Sequence, residues 1–399
     1  MGVLAATIPQ IDSEVQKQYA QFVANFFKSA FDARNAGKKL VWMAYYLPSE
    51  LCYALDAVPF YPEIWGGVCA RQGIVLKYLE AAESFGYPRE LCSATKSAAG
   101  MALSGEAPPP DAVLSTQPVC DGGMKVHELV AVRYKCPHFF IDVPYTKDKN
   151  GIEYLTGELE GALKFLTESF GTELSEARLK KVVELSKRAE ELHLEVNELR
   201  KKKPSPLLSL ELFGQYFFPC SFLGGTQAAI DFYAMVAEVA KRRIKEGNVL
   251  EEKYRLLWAP LVPQSFLSIL QWLELEYKAK VVMEMVGYAP KIEMDAAKPL
   301  ESLARKTLEA RFPSLGNGPG VLNLDRYREI VKDYDIDAVI YFAHWGCRTI
   351  CSAVKMVKDL LREEFDVPML VLDGDIFDPR NNPVEQARAR VEEFFEMLE

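Results

Sequence analysis

Ile336-Asp-Ala-Val-Ile-Tyr-Phe-Ala-His344-Trp-Gly-Cys347-Arg348 is an apolar run that ends in a Trp-Gly turn and hands over to a helical pattern. Nearly continuous Ile, Val, Tyr and Phe from Ile336 to Phe342 predict a strand buried on both faces, as in a parallel sheet covered by helices. The next residues agree. Arg348 to Phe365 reads as a helix, Met369 to Leu372 as a strand and Pro383 to Leu398 as a closing helix. The alternation extends backwards. A helix over Gln227 to Glu246 leads into Tyr254-Arg-Leu-Leu-Trp-Ala-Pro260, then a helix, then a β-rich segment from Lys280 to Met285.

The N-terminal part has the same grammar. A helix from Ser13 to Ala36 is followed by a strand at Leu40 to Tyr46, a helix opened by Pro48-Ser49-Glu50 and a strand at Val58 to Tyr61. A helix from Val68 to Ser84 and strands at Ala112 to Ser115 and His138 to Val143 follow. From Gly151 to Lys203 the chain is charged and helical, with one apolar stripe and one solvated face. The fold expected is α/β: two Rossmann-like domains with parallel sheets, 1–150 and 251–399, joined by a helical connector, 151–250. A chain of 399 residues exceeds what one hydrophobic core usually supports. No sequence repeat relates the two halves.

The apolar fraction of 49% and charged fraction of 26% place the chain among globular proteins. A net charge of -9 disfavours broad attraction to nucleic-acid phosphates or anionic lipid. No run approaches the roughly 18 apolar residues of a bilayer span. Met1-Gly-Val-Leu-Ala-Ala-Thr-Ile-Pro-Gln10 has neither a basic n-region nor a long apolar stretch, so a cytoplasmic location is expected. Eight cysteines in such a compartment serve as core thiols, metal ligands or redox groups rather than disulfides.

Three of those cysteines stand where a strand-like or turn-like stretch meets a helical one: Arg89-Glu-Leu-Cys92-Ser, Gln117-Pro-Val-Cys120-Asp-Gly-Gly and His344-Trp-Gly-Cys347-Arg. A helix start offers free amides and a positive dipole end, which favour thiolate, the metal-binding form. In open parallel sheets such junctions also line the ligand crevice. Cys92, Cys120 and Cys347 therefore form a candidate metal site. Cys52 and Cys69 sit among apolar neighbours and read as core packing, while Cys351 can share a helix face with Cys347. Cys136 and Cys220, each beside a proline, are weaker candidates. No Cys-x2-Cys pair, P-loop, zinc helix or Gly-x-Ser-x-Gly elbow is present, and Gly316-Asn-Gly-Pro-Gly320 reads as a turn.

Tyr61-Pro-Glu63-Ile-Trp-Gly-Gly, Gly86-Tyr-Pro-Arg-Glu-Leu-Cys92, Pro118-Val-Cys120-Asp121, His344-Trp-Gly-Cys347-Arg and Val367-Pro-Met-Leu-Val-Leu-Asp-Gly-Asp375-Ile-Phe-Asp378-Pro-Arg380 occur in that order. Together they resemble the 2-hydroxyacyl-CoA dehydratase family, whose superfamily includes the ATP-dependent benzoyl-CoA reductase subunits and the double-cubane proteins. The resemblance covers nearly the whole chain. It implies a 4Fe-4S cluster between the two domains, held by Cys92, Cys120 and Cys347, with one iron open to a CoA-thioester oxygen. It also implies one-electron, ketyl-radical chemistry on an acyl-CoA or aroyl-CoA substrate, with Glu63 at the active site. The implied partners are a homologous second subunit and a separate ATP-hydrolysing iron–sulfur activator. Ile64 and Tyr45 depart from the family pattern, at a commonly polar position and in a region that often holds a small hydroxyl residue. Three readings stay open: a dehydratase subunit, a benzoyl-CoA reductase-type subunit, and a noncatalytic electron-relay subunit. His344 reads as a packed strand-end histidine, Asp121 as a helix cap, Asp375, Asp378 and Arg380 as organisers of the last loop, and Lys201 to Lys203 as a solvated helix end.

Overall fold

A computed structural model describes residues 13–118, 120–212, 218–288, 290–309, 320–382 and 384–399. The N-terminal decapeptide, most of the Gly316–Gly320 turn and Pro383 lie outside them. The first part contains α1 (Glu14–Asp32), β1 (Leu40–Met43), α2 (Glu50–Ala54), β2 (Val58–Phe60), α3 (Pro62–Arg71), α4 (Leu76–Ser84), α5 (Ser93–Ser104), β3 (Ala112–Ser115), α6 (Asp121–Tyr134) and β4 (His138–Phe140). Its four strands form a parallel sheet of order β2-β1-β3-β4. Helices α7 (Lys149–Phe170), α8 (Glu176–Arg200), α9 (Ser209–Leu212), α10 (Pro219–Phe222) and α11 (Gln227–Glu246) follow. The remainder contains β5 (Tyr254–Pro260), α12 (Ser268–Tyr277), β6 (Ala279–Glu284), α13 (Pro299–Glu309), α14 (Leu324–Tyr334), β7 (Ala338–His344), α15 (Arg348–Phe365), β8 (Met369–Gly374) and α16 (Val384–Leu398). Its sheet is also parallel, in the order β6-β5-β7-β8.

Both sheets thus share one topology, although no sequence repeat announces it. In each, the strand order reverses between the first and third strands, β1 and β3 or β5 and β7, which is where crevices open in such sheets. The uninterrupted apolarity of β7 has a direct cause. Ala338, Ile340 and Phe342 join a core continuous with the first sheet, while Val339, Tyr341 and Ala343 join a second cluster beneath α14 and α15. Alternate residues point to opposite faces, and both faces are dry.

Two expected helices are divided. The segment read as one helix from Val68 to Ser84 is α3 and α4, separated at Gly73, whose φ of 73° is a left-handed conformation that glycine adopts without strain. The helix starts earlier than expected because Pro62 occupies its first turn, where a missing amide costs nothing. That earlier start places Glu63 in the first turn of α3. The connector from Gly151 to Lys203 is likewise α7 and α8, divided at Gly171 in the left-handed region, with Ser175 capping α8 through the Arg178 amide. Helix α7 packs on α13, and α8 packs on α2 and α11. No helix among the described residues is long and apolar enough to cross a membrane.

Candidate functional site

Cys92, Cys120 and Cys347 are the N-caps of α5, α6 and α15, so three helix starts meet at one place. All three line a cleft of about 420 Å³ between the sheets, together with Tyr45, Glu63 and His344. Two of the cysteines are topological equivalents, since Cys120 follows β3 and Cys347 follows β7, the third strand of each sheet. The Gly123 amide donates to the Cys120 sulfur at 3.4 Å. First-turn amides of Ala94 and Thr95 act on Cys92, those of Thr349 and Ile350 act on Cys347, and each favours the thiolate. Burial nevertheless outweighs them. It pushes the Cys92 and Cys347 thiols up to about 11 and raises Cys120 as well, so a helix start alone does not ionise these groups.

Proximity adds to that cost. Negative charge on Cys92 raises Cys120, and charge on Cys92 and Cys120 raises Cys347. Three half-buried thiols that resist ionising together form a donor set whose electrostatic demand is a cationic group. Among the described residues, no three Cys, His, Asp or Glu side chains lie close enough to share one metal ion. Three cysteine sulfurs presented by separate helix starts are the donor chemistry that an iron–sulfur cluster takes.

The cleft is assembled from both sheets by contacts around Cys92. His344, buried at the end of β7, places Nε2 3.1 Å from the Cys92 sulfur and Nδ1 3.4 Å from the Gly374 carbonyl oxygen. Burial holds its imidazole below the ordinary histidine value, against the opposing pull of Asp375. Gly346 permits the approach, because a Cβ there would stand 2.8 Å from the Cys92 Cα and 3.0 Å from its amide nitrogen. Next to Cys92, the Ser93 hydroxyl donates to Asp375 Oδ1, which also accepts the Phe377 and Asp378 amides at 2.9 Å each. Lys96, buried one turn along α5, donates to Glu83 at 2.8 Å and to the Arg89 carbonyl at 2.8 Å. Glu83 also accepts from Arg380 at 2.7 Å, and Arg380 donates to Asp378 at 2.7 Å. Burial raises the Glu83 carboxyl, but Arg380 and Lys96 outweigh it and hold the group at about 2. Asp375, Asp378 and Arg380 therefore organise the loop after β8, as the sequence suggested, and also clamp it to α5.

Glu63 stands beside the cysteines, 2% exposed, and neither carboxylate oxygen meets a hydrogen-bond partner among the described residues. Burial raises its pKa, partly offset by His127, whose Nδ1 lies 3.7 Å from Oε1. His127 is fully buried and its Nδ1 lies 2.9 Å from the Gly123 carbonyl oxygen, so it ties Glu63 to the turn that presents Cys120. The sequence reading passed over His127. A signal was available, since it lies seven residues after Cys120, two turns along one helix face. The link between Ser93 and Asp375, 282 positions apart, had no such signal.

The other cysteines sort as follows. Cys52 is fully buried with its sulfur 3.2 Å from the Met43 sulfur, Cys69 is buried with its thiol pushed up to about 12, and Cys220 is buried. Cys351 is exposed and gives its thiol to the His344 carbonyl at 3.3 Å, outside the lining of the cleft. Asp121 is the first residue of α6 rather than its cap, a role taken by Cys120, and it pairs across the cleft mouth with Arg348 at 3.2 Å. Lys201 is a helix-end residue paired with Glu198 and Asp333.

Known proteins resemble this chain over almost its full length. The chain is 23% identical over 385 residues to the (R)-phenyllactyl-CoA dehydratase alpha subunit of Clostridium sporogenes, covering 92% of each protein. It is 24% identical over 432 residues to a benzoyl-CoA reductase subunit of Thauera aromatica, covering 99% of this chain and 97% of that one. It is 23% identical over 394 residues to the (R)-2-hydroxyisocaproyl-CoA dehydratase alpha subunit of Clostridioides difficile, covering 94% of each. The sequence pattern of the 2-hydroxyglutaryl-CoA dehydratase D-component family matches residues 44–398, a span that begins just after β1 and includes every other strand and every cysteine of the cleft. The chain belongs to the 2-hydroxyglutaryl-CoA dehydratase D-component family.

Proposed function

We propose that this chain is the iron–sulfur subunit of a dehydratase acting on a 2-hydroxyacyl-CoA thioester. In this reading Cys92, Cys120 and Cys347 hold a 4Fe-4S cluster and leave one iron without a cysteine. When bound, such a cluster supplies one electron and a Lewis-acidic iron to the thioester, the basis of ketyl-radical chemistry. The observation that carries the reading is the meeting of three cysteine-capped helix starts, drawn from both sheets, beside a buried carboxylate with no hydrogen-bond partner among the described residues. Glu63 is the proton-carrying group. Its raised pKa moves it towards neutrality, where a group that both accepts and returns a proton works best. His127 holds the α6 turn and the Glu63 carboxylate in one arrangement, and Tyr45 closes the cleft wall beside them.

The relatives' names describe parts of assemblies, which supports a homologous second subunit for this chain. A separate ATP-hydrolysing iron–sulfur activator belongs to the same proposal. Anaerobic iron and sulfide analysis of the purified protein tests it: about four irons and matching labile sulfide per chain are expected. Cys92→Ser, Cys120→Ser and Cys347→Ser should each lose most of that iron, whereas Cys52→Ser should keep it and lose only core stability. Zinc without sulfide, or equal loss in all four variants, would overturn the assignment. The likeness to a benzoyl-CoA reductase subunit supports a second reading, reduction of an aroyl-CoA at the same site. Turnover of 2-hydroxyacyl-CoA and aroyl-CoA substrates by the reconstituted complex separates the two.

A further inference from the structure

We propose that His344 is a positioning residue for the cluster: its Nε2–H donates to the sulfur of Cys92 when that sulfur is bound to iron, and this hydrogen bond raises the cluster's reduction potential. The inference rests on the iron–sulfur reading above and gives a role to a side chain that otherwise reads as packing. Nε2 lies 3.1 Å from the Cys92 sulfur across 252 positions of the chain. A free Cys92 thiol can donate across that contact itself. An iron-bound sulfur carries no proton and only accepts, so the bond persists in the loaded site with the donor on the imidazole. The other ring nitrogen competes little for the proton, because Nδ1 stands 3.4 Å from the Gly374 carbonyl oxygen, beyond the usual range of an N–H to oxygen bond.

The ring is built into this position. His344 ends β7 and is 1% exposed. Its carbonyl oxygen accepts the Cys347 amide at 2.9 Å and the Cys351 thiol at 3.3 Å, which ties the strand end to the loop that presents Cys347. The Trp345 amide donates to the Gly374 carbonyl at 3.1 Å and fixes the same loop to β8. Gly346 leaves the space, since a Cβ there would stand 3.1 Å from His344 Cε1 as well as against the Cys92 backbone. The four residues from His344 to Cys347 thus supply one cysteine and a side-chain donor to another, at the start of α5. Helix-start amides act on all three cysteines, and His344 adds a ring N–H at Cys92. A hydrogen bond to a cluster sulfur stabilises the electron-rich reduced form more than the oxidised one, which is the sense of the proposed shift.

Redox titration of the anaerobically purified protein, followed by the EPR signal of the reduced cluster, tests the inference without turnover. His344→Phe keeps a planar ring and has no donor, so its midpoint should shift to more negative potential with iron per chain retained. His344→Gln offers a side-chain N–H near the same place and should recover at least part of that shift. An unchanged midpoint in His344→Phe, or equal shifts in both variants, would overturn the hydrogen bond and leave the iron–sulfur reading standing. Should His344→Phe fail to hold iron, pulsed EPR of the wild type carrying isotopically labelled histidine decides. It should show one weakly coupled histidine nitrogen, absent from His344→Gln. No coupled histidine nitrogen, a coupling that persists in His344→Gln, or one as strong as that of a direct iron ligand would overturn the proposal. Wild-type protein without a reducible iron–sulfur signal would overturn the cluster reading and this inference together.

Discussion

Glu63 concentrates the chemistry of this molecule in one side chain. A buried carboxylate without hydrogen bonds among the described residues is costly, and the same burial raises its pKa. Glu63→Gln keeps the shape but cannot accept a proton at neutral pH, so turnover of the reconstituted complex should fall roughly 10²-fold or more with iron content intact. Unchanged turnover would make Glu63 structural. Stability should respond with a defined sign. Because the folded pKa lies above the unfolded one, ionisation opposes folding, and the wild type should lose stability relative to Glu63→Gln as pH rises from the ordinary glutamate range through the raised value. Thermal melts of both proteins across that window check it, and a pH-independent difference would contradict a carboxyl whose pKa is raised by burial.

Among the elements, α5 carries the most responsibility. It begins at Cys92, and within its first turns Ser93 and Lys96 tie it to the β8 loop, directly and through Glu83. Asp375 is 1% exposed and receives three donors on one oxygen, an arrangement that satisfies the start of the loop and the start of the helix together. Asp375→Asn should lower stability by about 1.5–3 kcal/mol, the range for hydrogen bonds to a charged acceptor. A reduced urea midpoint at unchanged slope would register it, and anaerobic iron should be released faster from the variant. An unaltered midpoint would mean that the clamp contributes nothing to the fold. By contrast, the Arg348–Asp121 pair is exposed on both sides, and removing it should not measurably change the urea midpoint.

On the scale of the whole molecule, the site exists only where two sheets of equal topology face each other. Gly346 marks a close approach between them, with Cys92 backbone atoms on the opposite side. Backbone cannot yield as a flexible side chain does. Gly346→Val should therefore part the halves locally while leaving far-ultraviolet circular dichroism unchanged, and anaerobic reconstitution should give clearly less iron per chain than the wild type. Wild-type iron in that variant would show that the approach at Gly346 is not needed for the site.

The strands, most of the helices and the three cysteine junctions were legible in the sequence because each depends on local physics: the period of apolar residues, the torsions that proline and glycine prefer, and the groups free at a helix start. Where reading failed locally, at Gly73 and Gly171, the left-handed residue that ends a helix was present but was passed over. Tertiary structure alone decided the common strand order, the approach of His344 to Cys92 across 252 positions, the Ser93–Asp375 clamp and the Glu63–His127 pair. It also set burial against the helix-start amides at the cysteines, because burial arises only when both sheets close over them. Those features consist of contacts between segments far apart in the chain, and their energies have no counterpart in any short stretch of sequence.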